Sequence, residues 1–146
     1  MTHLPHQPLS PLDGRYREAV SALGEHLSEA ALNRARLHVE IEWLIFLTDH
    51  RMFGSMPLNA KQKAALRTVA TDFTEDDIRD LAELEASTRH DVKAVEYFLR
   101  NRLDSLHITG ISELVHFAAT SEDINNIAYA LTIDSALRAV WLPRFQ

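Results

Sequence analysis

The sequence contains no cysteine, only four glycines and five prolines, and no long apolar run. Without cysteine, disulfide frameworks and thiolate metal sites are excluded, and a reducing compartment is compatible with that absence. Scarce glycine and proline argue against a loop-rich β architecture and against long disorder. No apolar run is longer than the five residues of 43–47, whereas roughly 20 are needed to span a bilayer. The sequence therefore predicts no membrane-spanning segment.

Basic residues are also few, because 15 Lys and Arg stand against 21 Asp and Glu, for a formal net charge of −6. No Lys/Arg-rich run stands out, so the electrostatic footprint of a nucleic-acid binder is missing. The amino terminus has no basic segment followed by an apolar stretch, which argues against a signal peptide. With 46% apolar and 25% charged residues, the composition is that of a soluble globular protein. We expect a cytoplasmic location, with neither nucleic acid nor membrane as a partner.

Apolar residues recur at helical spacing through most of the chain after residue 14. The segment from Ser28 to about Asp49 carries two apolar stripes, which predicts a helix buried on most sides. A short helix is predicted over 112–118 and a longer one of some 20 residues from 120 onwards. Helix caps are predicted from residue type at five positions: Ser28, Asn59, Thr74, Asp91 and Thr120. No alternating pattern is long enough for a strand, so the expected fold class is all-α.

The first 14 residues are predicted to form an extended, turn-rich leader. Pro5, Pro8 and Pro11 keep this segment out of a helix, because proline lacks the backbone N–H and restricts the residue before it.

Three clusters of polar residues interrupt the helical pattern where packing does not require them. The first cluster, residues 10–16, offers the planar guanidinium of Arg15, which suits phosphate, and the hydroxyl of Tyr16. The second cluster is residues 88–94 and the third is residues 119–126. The first cluster is equally compatible with a surface turn that carries an exposed arginine, because short motifs have high false-positive rates.

The second and third clusters both stand at predicted helix starts, where free backbone N–H groups attract anions. His90 adds an imidazole that can transfer protons near neutral pH. Thr120 and Ser121 add two hydroxyls that can hold a carboxylate or phosphate. Each cluster also has an ordinary explanation: Asp91 as a helix cap beside a surface histidine, and a capped helix with an acidic first turn.

Other chemistry has little support in the sequence. His38 and Glu42 stand four apart on one helix face, but a third metal ligand is lacking. There is neither a glycine-rich phosphate loop nor a nucleophile elbow. We therefore predict no metal site and no cofactor.

Taken together, the three clusters resemble the adenylosuccinate lyase family of the fumarase/aspartase superfamily. The stretches that carry the resemblance are Ser-Pro-Leu-Asp-Gly-Arg-Tyr at 10–16, His-Asp-Val-Lys-Ala-Val-Glu-Tyr-Phe-Leu at 90–99, and Thr-Ser-Glu-Asp-Ile-Asn-Asn at 120–126. The occurrence of all three stretches in this order is specific. The resemblance covers almost the whole chain, and it is strongest to the bacterial subgroup of the family. Full family members are much longer, so the resemblance implies an amino-terminal fragment: a helical domain over 1–111 and the truncated beginning of the central helix bundle over 112–146.

The resemblance implies a β-elimination in purine biosynthesis. The family cleaves adenylosuccinate to AMP and fumarate, and cleaves the related succinyl-aminoimidazole carboxamide ribotide to its product and fumarate. This chemistry needs an acid, a base and fixed donors for developing negative charge. By resemblance, Arg15 and Tyr16 bind the nucleotide phosphate, and Thr120 and Ser121 hold a carboxylate of the succinyl group.

The resemblance also implies that His90 and Asp91 contact the substrate near the reacting centre. It extends the substrate contacts to Arg89, where the family pattern has a small polar residue such as Asn. The family's general-acid histidine and catalytic serine are expected after Gln146, so no catalytic residue is assigned here and His90 is at most an assisting group. The family is a homotetramer whose active sites draw on several subunits, so the fragment alone is expected to be inactive.

Two alternatives remain open at this point. The helical periodicity suits a non-catalytic helical interaction domain equally well. A sister lyase of the same superfamily, acting on another adduct such as argininosuccinate, would share the fold.

Overall fold

The computed structural model describes residues 9–145, and within this range the chain is helical and contains no strand. The part of the predicted leader that includes Pro5 and Pro8 lies outside the described residues. Six α-helices follow one another: α1 Arg17–Leu27, α2 Glu29–Asp49, α3 Ala60–Thr71, α4 Glu75–Thr88, α5 Asp91–Ser105 and α6 Ser121–Ala136. The predicted all-α class is confirmed.

Side-chain caps begin four of these helices where the sequence predicted them. The hydroxyl of Ser28 accepts the N–H of Ala31 at the start of α2. Reciprocal capping boxes begin the other three helices: Asn59 with Gln62 for α3, Thr74 with Asp77 for α4, and Thr120 with Asp123 for α6. Short-range hydrogen bonding alone therefore determines where these helices start.

Helix α5 is the exception, and the prediction that Asp91 caps it was wrong. The cap is His90, whose Nδ1 accepts the N–H of Lys93 at 3.3 Å, while Asp91 is the first residue inside the helix. The carboxylate of Asp91 accepts instead from its neighbour Val92 and from Arg36 on α2. The carboxylate of Asp91 therefore pairs with Arg36, which is distant in sequence, instead of capping the helix that it begins.

Helix α2 lies at the centre of the fold and contacts α1, α3, α5 and α6. Its side chains Leu37, Ile41 and Leu44 are fully buried, which confirms the prediction of a helix buried on most sides. One apolar core joins α2 to α3, α4 and α5, and Leu66, Leu81, Phe98 and Leu99 are among its members. A smaller cluster of Val39, Val92 and Ile124 packs α2 against the starts of α5 and α6.

The segment before α6 is less helical than predicted. Only Ser112–Leu114 forms a single 3-10 turn, and the predicted helix over 112–118 was wrong beyond it. His116 and Ala118 adopt the left-handed conformation with φ of 60° and 57°, which a right-handed helix cannot contain. After its last residue, Ala136, α6 continues into a π-helical turn, Leu137–Trp141.

Helix α6 and the π-helical turn that follows it leave apolar side chains uncovered. Ile127 and Trp141 are 51% and 55% exposed, and Leu131 is 42% exposed. No helix in the described part of the chain is both long and apolar enough to cross a membrane.

Candidate functional site

The side chain of Arg36, on α2, connects the second polar cluster to the third. Its Nη2 donates to Asp91 Oδ2 at 2.6 Å, and its Nε donates to Asn125 Oδ1 at 2.9 Å. Its Nη1 donates to Asn33 Oδ1 at 3.0 Å. One guanidinium therefore ties together α2, the start of α5 and the first turns of α6 through a fork of donors that only arginine offers.

Sequence reasoning missed Arg36 as a site residue, although a signal for it was present. Asn33, Arg36 and Glu40 recur at helical spacing along α2, with exposures of only 9%, 5% and 0%. Charged side chains are almost never fully buried unless they are paired. A helix predicted to be buried on most sides that also carries Arg and Glu should therefore have partners for them on neighbouring helices.

Asp91 is held as a carboxylate by its surroundings. Partial burial raises the pKa of Asp91, but the N–H of Val92 and the guanidinium of Arg36 outweigh it and lower the pKa below 3.8. Hydrogen bonds and positive charge favour the ionised form of a carboxyl group. The start of α5 thus carries a fixed negative charge whose position is set by Arg36.

The lowered pKa of Asp91 makes stability sensitive to acid. The folded state binds fewer protons than the unfolded state near pH 4, so the stabilisation is present above the unfolded pKa and is lost as pH falls through the folded one. In the full-length gene product, Asp91→Asn is expected to lower the melting temperature at pH 7 by about 2–4 °C. It should also reduce the further fall between about pH 5 and pH 3.

The matched control for this experiment is Asp104→Asn, at an exposed carboxylate on the same helix that forms no ion pair within the described residues. Thermal melting of both variants at pH 7, 5, 4 and 3 measures the difference. An acid slope for Asp91→Asn as steep as that of Asp104→Asn would contradict a stabilising role for the Asp91 carboxylate.

The imidazole of His90 is half exposed beside this carboxylate, with Nδ1 3.6 Å from Asp91 Oδ1. Because Nδ1 accepts the N–H of Lys93, the neutral ring carries its proton on Nε2. Nε2 makes no hydrogen bond to another residue in the part of the chain that the structure describes. The ring therefore has a donor available for a ligand while its other nitrogen caps α5.

The two hydroxyls of the third cluster are in different situations. The Oγ1 of Thr120 accepts the N–H of Asp123 at 3.4 Å and contacts its Oδ2 at 3.1 Å, so the capping box occupies it. The hydroxyl of Ser121 makes no hydrogen bond to another residue between 9 and 145. Backbone N–H groups at a helix start suit an anion, so Ser121 is the side chain of this pair that is free to bind one.

The first cluster forms a tight turn before α1. The carboxylate of Asp13 accepts the N–H groups of Leu9 at 3.0 Å and Ser10 at 2.6 Å, and these contacts lower the pKa of Asp13. The guanidinium of Arg15 lies over the exposed ring of Tyr16, 4.8 Å from its centroid. Both side chains therefore stand at the surface as donors, supported by a turn that Asp13 organises.

No hydrogen bond or ion pair between residues 9 and 145 joins the first cluster to the other two. Helix α1 lies against the carboxyl-terminal half of α6, where His26 contacts the hydroxyl of Ser135 at 2.8 Å. Leu23 lines a cavity with Trp141, beyond the end of α6. Thr120, by contrast, caps the opposite end of α6, so one copy of this chain does not assemble all three clusters at one place.

Two other candidate positions are explained by the structure. Arg89 ends α4 in the left-handed conformation, with φ of 53°, which Asn and Gly adopt more readily than Arg. The small polar residue that the resemblance leads one to expect there would adopt this conformation with less strain. Glu42 of the His38–Glu42 pair binds Arg67 through both its oxygens, at 2.6 and 2.8 Å.

Comparison with known proteins places this helical scaffold in a family. The family model described as "Lyase" matches residues 14–146. The chain therefore belongs to this lyase family, as the three clusters predicted.

Within the family, the chain is similar to adenylosuccinate lyases. It is 41% identical to that of Haemophilus influenzae over 140 residues, which is 94% of this chain and 31% of the relative. It is 41% identical to that of Escherichia coli over 92% of this chain and 30% of the relative. The similarity extends to Dictyostelium discoideum, at 38% identity over 94% of this chain and 30% of the relative. The chain spans about 30% of the length of the curated relatives it matches.

Proposed function

We propose that this chain supplies part of the active site of an adenylosuccinate lyase. The reaction is elimination of fumarate from adenylosuccinate, giving AMP, and from the succinyl-aminoimidazole carboxamide ribotide of purine biosynthesis. The observation that carries the proposal is the guanidinium of Arg36, which holds the start of α5 and the start of α6 together. In this arrangement the imidazole of His90 and the free hydroxyl of Ser121 serve the same substrate.

The charge that develops during the elimination explains the roles of these groups. Removal of a proton beside a carboxylate spreads negative charge into that carboxylate, and fixed donors stabilise it most when they are already in place. Ser121, with the free N–H groups at the start of α6, binds this carboxylate, and Thr120 shapes the turn that presents it. His90 assists as a donor near the reacting centre, next to Asp91.

We propose that Arg15 and Tyr16 bind the nucleotide phosphate, and that Arg89 contributes a further contact from its position beside His90. Because no hydrogen bond or ion pair among residues 9–145 joins the first cluster to the other two, we propose that the phosphate contact and the carboxylate contact come from different copies. This supports a homotetramer of the full-length protein. We also propose that residues 1–111 form the amino-terminal domain and that residues 112–146 begin the central helix bundle, whose packing covers the exposed Ile127 and Leu131.

The deciding test of this proposal is release of fumarate. The full-length gene product is incubated with adenylosuccinate and, separately, with argininosuccinate. In a third arm the 146-residue chain replaces the full-length product, with adenylosuccinate as the substrate. We expect turnover of adenylosuccinate by the full-length product only, because the general acid and base are expected in the part of the family's length that this chain does not span. Turnover of argininosuccinate alone would establish the sister lyase, and no turnover by a folded tetramer would favour the interaction domain.

The role of His90 is tested with a substitution that preserves the cap of α5. Asparagine is among the best helix caps, so His90→Asn keeps the start of α5 while it removes the imidazole. We expect kcat for adenylosuccinate to fall about 100-fold, the lower range for loss of a positioned proton-transfer or donor group. The melting temperature should stay near that of the unmodified protein.

The matched control is His107→Asn. His107 is an exposed histidine with φ of 54°, a conformation that asparagine tolerates well. It should leave kcat unchanged. Equal activity of the two variants would exclude His90 from the reaction.

A further inference from the structure

The segment that leads into α6, residues 115–120, is held in a strained shape. His116 and Ala118 both have positive φ although neither is glycine. Such conformations persist only where the surrounding structure imposes them. The contacts of this segment therefore show which residues hold the start of α6 in place.

Two side chains of α2 make hydrogen bonds to this segment. Glu40 Oε1 lies 2.5 Å from Nδ1 of His116. The indole Nε1 of Trp43 donates to the carbonyl of Phe117 at 2.8 Å. Because Glu40 and Trp43 stand on a helix whose core residues are fully buried, they form a rigid support beneath the segment.

The histidine at this support is placed between two carboxylates. Its Nε2 lies 3.8 Å from Glu96 Oε1 on α5, and Glu96 Oε2 accepts from Lys93 Nζ at 2.7 Å. Both nitrogens of an imidazolium are donors, so the protonated ring can serve both carboxylates at once.

Glu40 itself has no other partner that would explain its burial. Its side chain is fully buried, and its Oε2 makes no hydrogen bond to any residue of the described range 9–145. Burial raises the pKa of Glu40, and the hydrogen bond and charge of His116 oppose that rise. Placing a carboxylate where it costs solvation is explained by the contact it makes with His116.

We propose that Glu40, acting through His116 and together with Trp43, is a positioning residue that fixes residues 115–120 and so aims the Ser121 hydroxyl and the α6 N–H groups at the carboxylate of the substrate. The inference rests on the proposed function for the identity of that carboxylate. The contacts of Glu40 with His116 and of Trp43 with Phe117, which we call the clamp, lie within this chain alone. Neither Glu40 nor Trp43 touches the substrate.

The experiment uses the full-length gene product with Glu40→Gln, which keeps the size of the side chain and removes its charge. The matched control is Glu42→Gln, two residues further along α2, whose carboxylate pairs with Arg67 at the surface. Hydrogen exchange of the peptide spanning 115–121 measures the clamp, and equilibrium binding of fumarate alone and of AMP alone measures its consequence.

In Glu40→Gln we expect exchange in the peptide to become about tenfold faster, because the local opening is no longer restrained. We expect fumarate to bind about tenfold more weakly while the affinity for AMP changes less than twofold, since misplacement of one subsite lowers only the interactions made there. Glu42→Gln should resemble the unmodified protein in all three measurements.

A second variant keeps the proposal testable where Glu40→Gln does not fold. Trp43→Phe retains an aromatic ring and removes the N–H that holds Phe117, and we expect the same selective weakening of fumarate binding, about threefold. Unchanged exchange, or equal loss of fumarate and AMP, would overturn the clamp. If the unmodified protein neither cleaves adenylosuccinate nor binds fumarate, the proposed function fails, and the exchange measurement still decides whether Glu40 holds the segment.

Discussion

Replacing Ser121 with alanine in the full-length gene product is expected to lower kcat/KM for adenylosuccinate about 100-fold, because one fixed donor to the developing negative charge is removed. The change is structurally mild. The hydroxyl makes no hydrogen bond within residues 9–145, and alanine is the best helix former for the first position of α6. Steady-state kinetics measure the loss, and thermal melting establishes that the fold is retained.

The same substitution at Ser105 provides the control for this experiment. Ser105 ends α5, and its hydroxyl donates to the carbonyl of Asn101, so Ser105→Ala removes an exposed hydroxyl outside the candidate site. It should leave kcat/KM within about twofold of the unmodified value, as expected for a surface substitution. If Ser121→Ala were equally active, the start of α6 would be an ordinary capped helix and not a carboxylate site.

Replacing Arg36 with methionine is expected to have the largest effect on stability. Methionine fills the space of the aliphatic stem, but Asp91, Asn33 and Asn125 all lose their donor. Removing one partner from a buried charged network destabilises by about 3 kcal/mol, because polar groups are left unsatisfied. Activity should fall as well, since the starts of α5 and α6 are no longer held together.

Arg67→Met tests whether loss of an arginine is sufficient for this effect. Arg67 forms a two-point pair with Glu42, but its side chain is 48% exposed. Surface pairs of this kind contribute at most about 1 kcal/mol. Chemical denaturation of both variants compares the two losses directly, and a loss for Arg36→Met no greater than that for Arg67→Met would contradict the role of Arg36 as the connection between the clusters.

Local chemistry explains why the sequence predicted so many helix starts correctly. At Ser28, Asn59, Thr74 and Thr120 the cap is a hydrogen bond to an N–H three residues further along the chain. Such contacts are complete within one turn and do not depend on the rest of the fold. At Asp91 the same reasoning failed, because the side chain had a competing partner on a helix 55 residues earlier.

The residues of the candidate site also fall into two groups, those predicted from local sequence and those found only in the tertiary structure. His90, Asp91, Thr120 and Ser121 are recognisable in the sequence because they stand next to one another at helix starts and match the pattern of a family. Arg36, Glu40 and His116 were not predicted, because their contacts join residues that are 55, 76 and 89 positions apart. Nothing in local spacing indicates which buried charges face each other across a helix interface.

By itself the sequence determined the helical class, the starts of four of the six described helices and the family, since apolar periodicity and capping are properties of short stretches. It also determined that α6 presents an apolar surface, because a stripe of Ile and Leu is present whatever packs on it. Only the tertiary structure decided that α2 carries a buried polar row that ties α5 to α6, and that the Arg15 turn stands apart. Burial is the physical reason: a charge inside a protein must meet its partner, and the packing of the helices determines which partner is within reach.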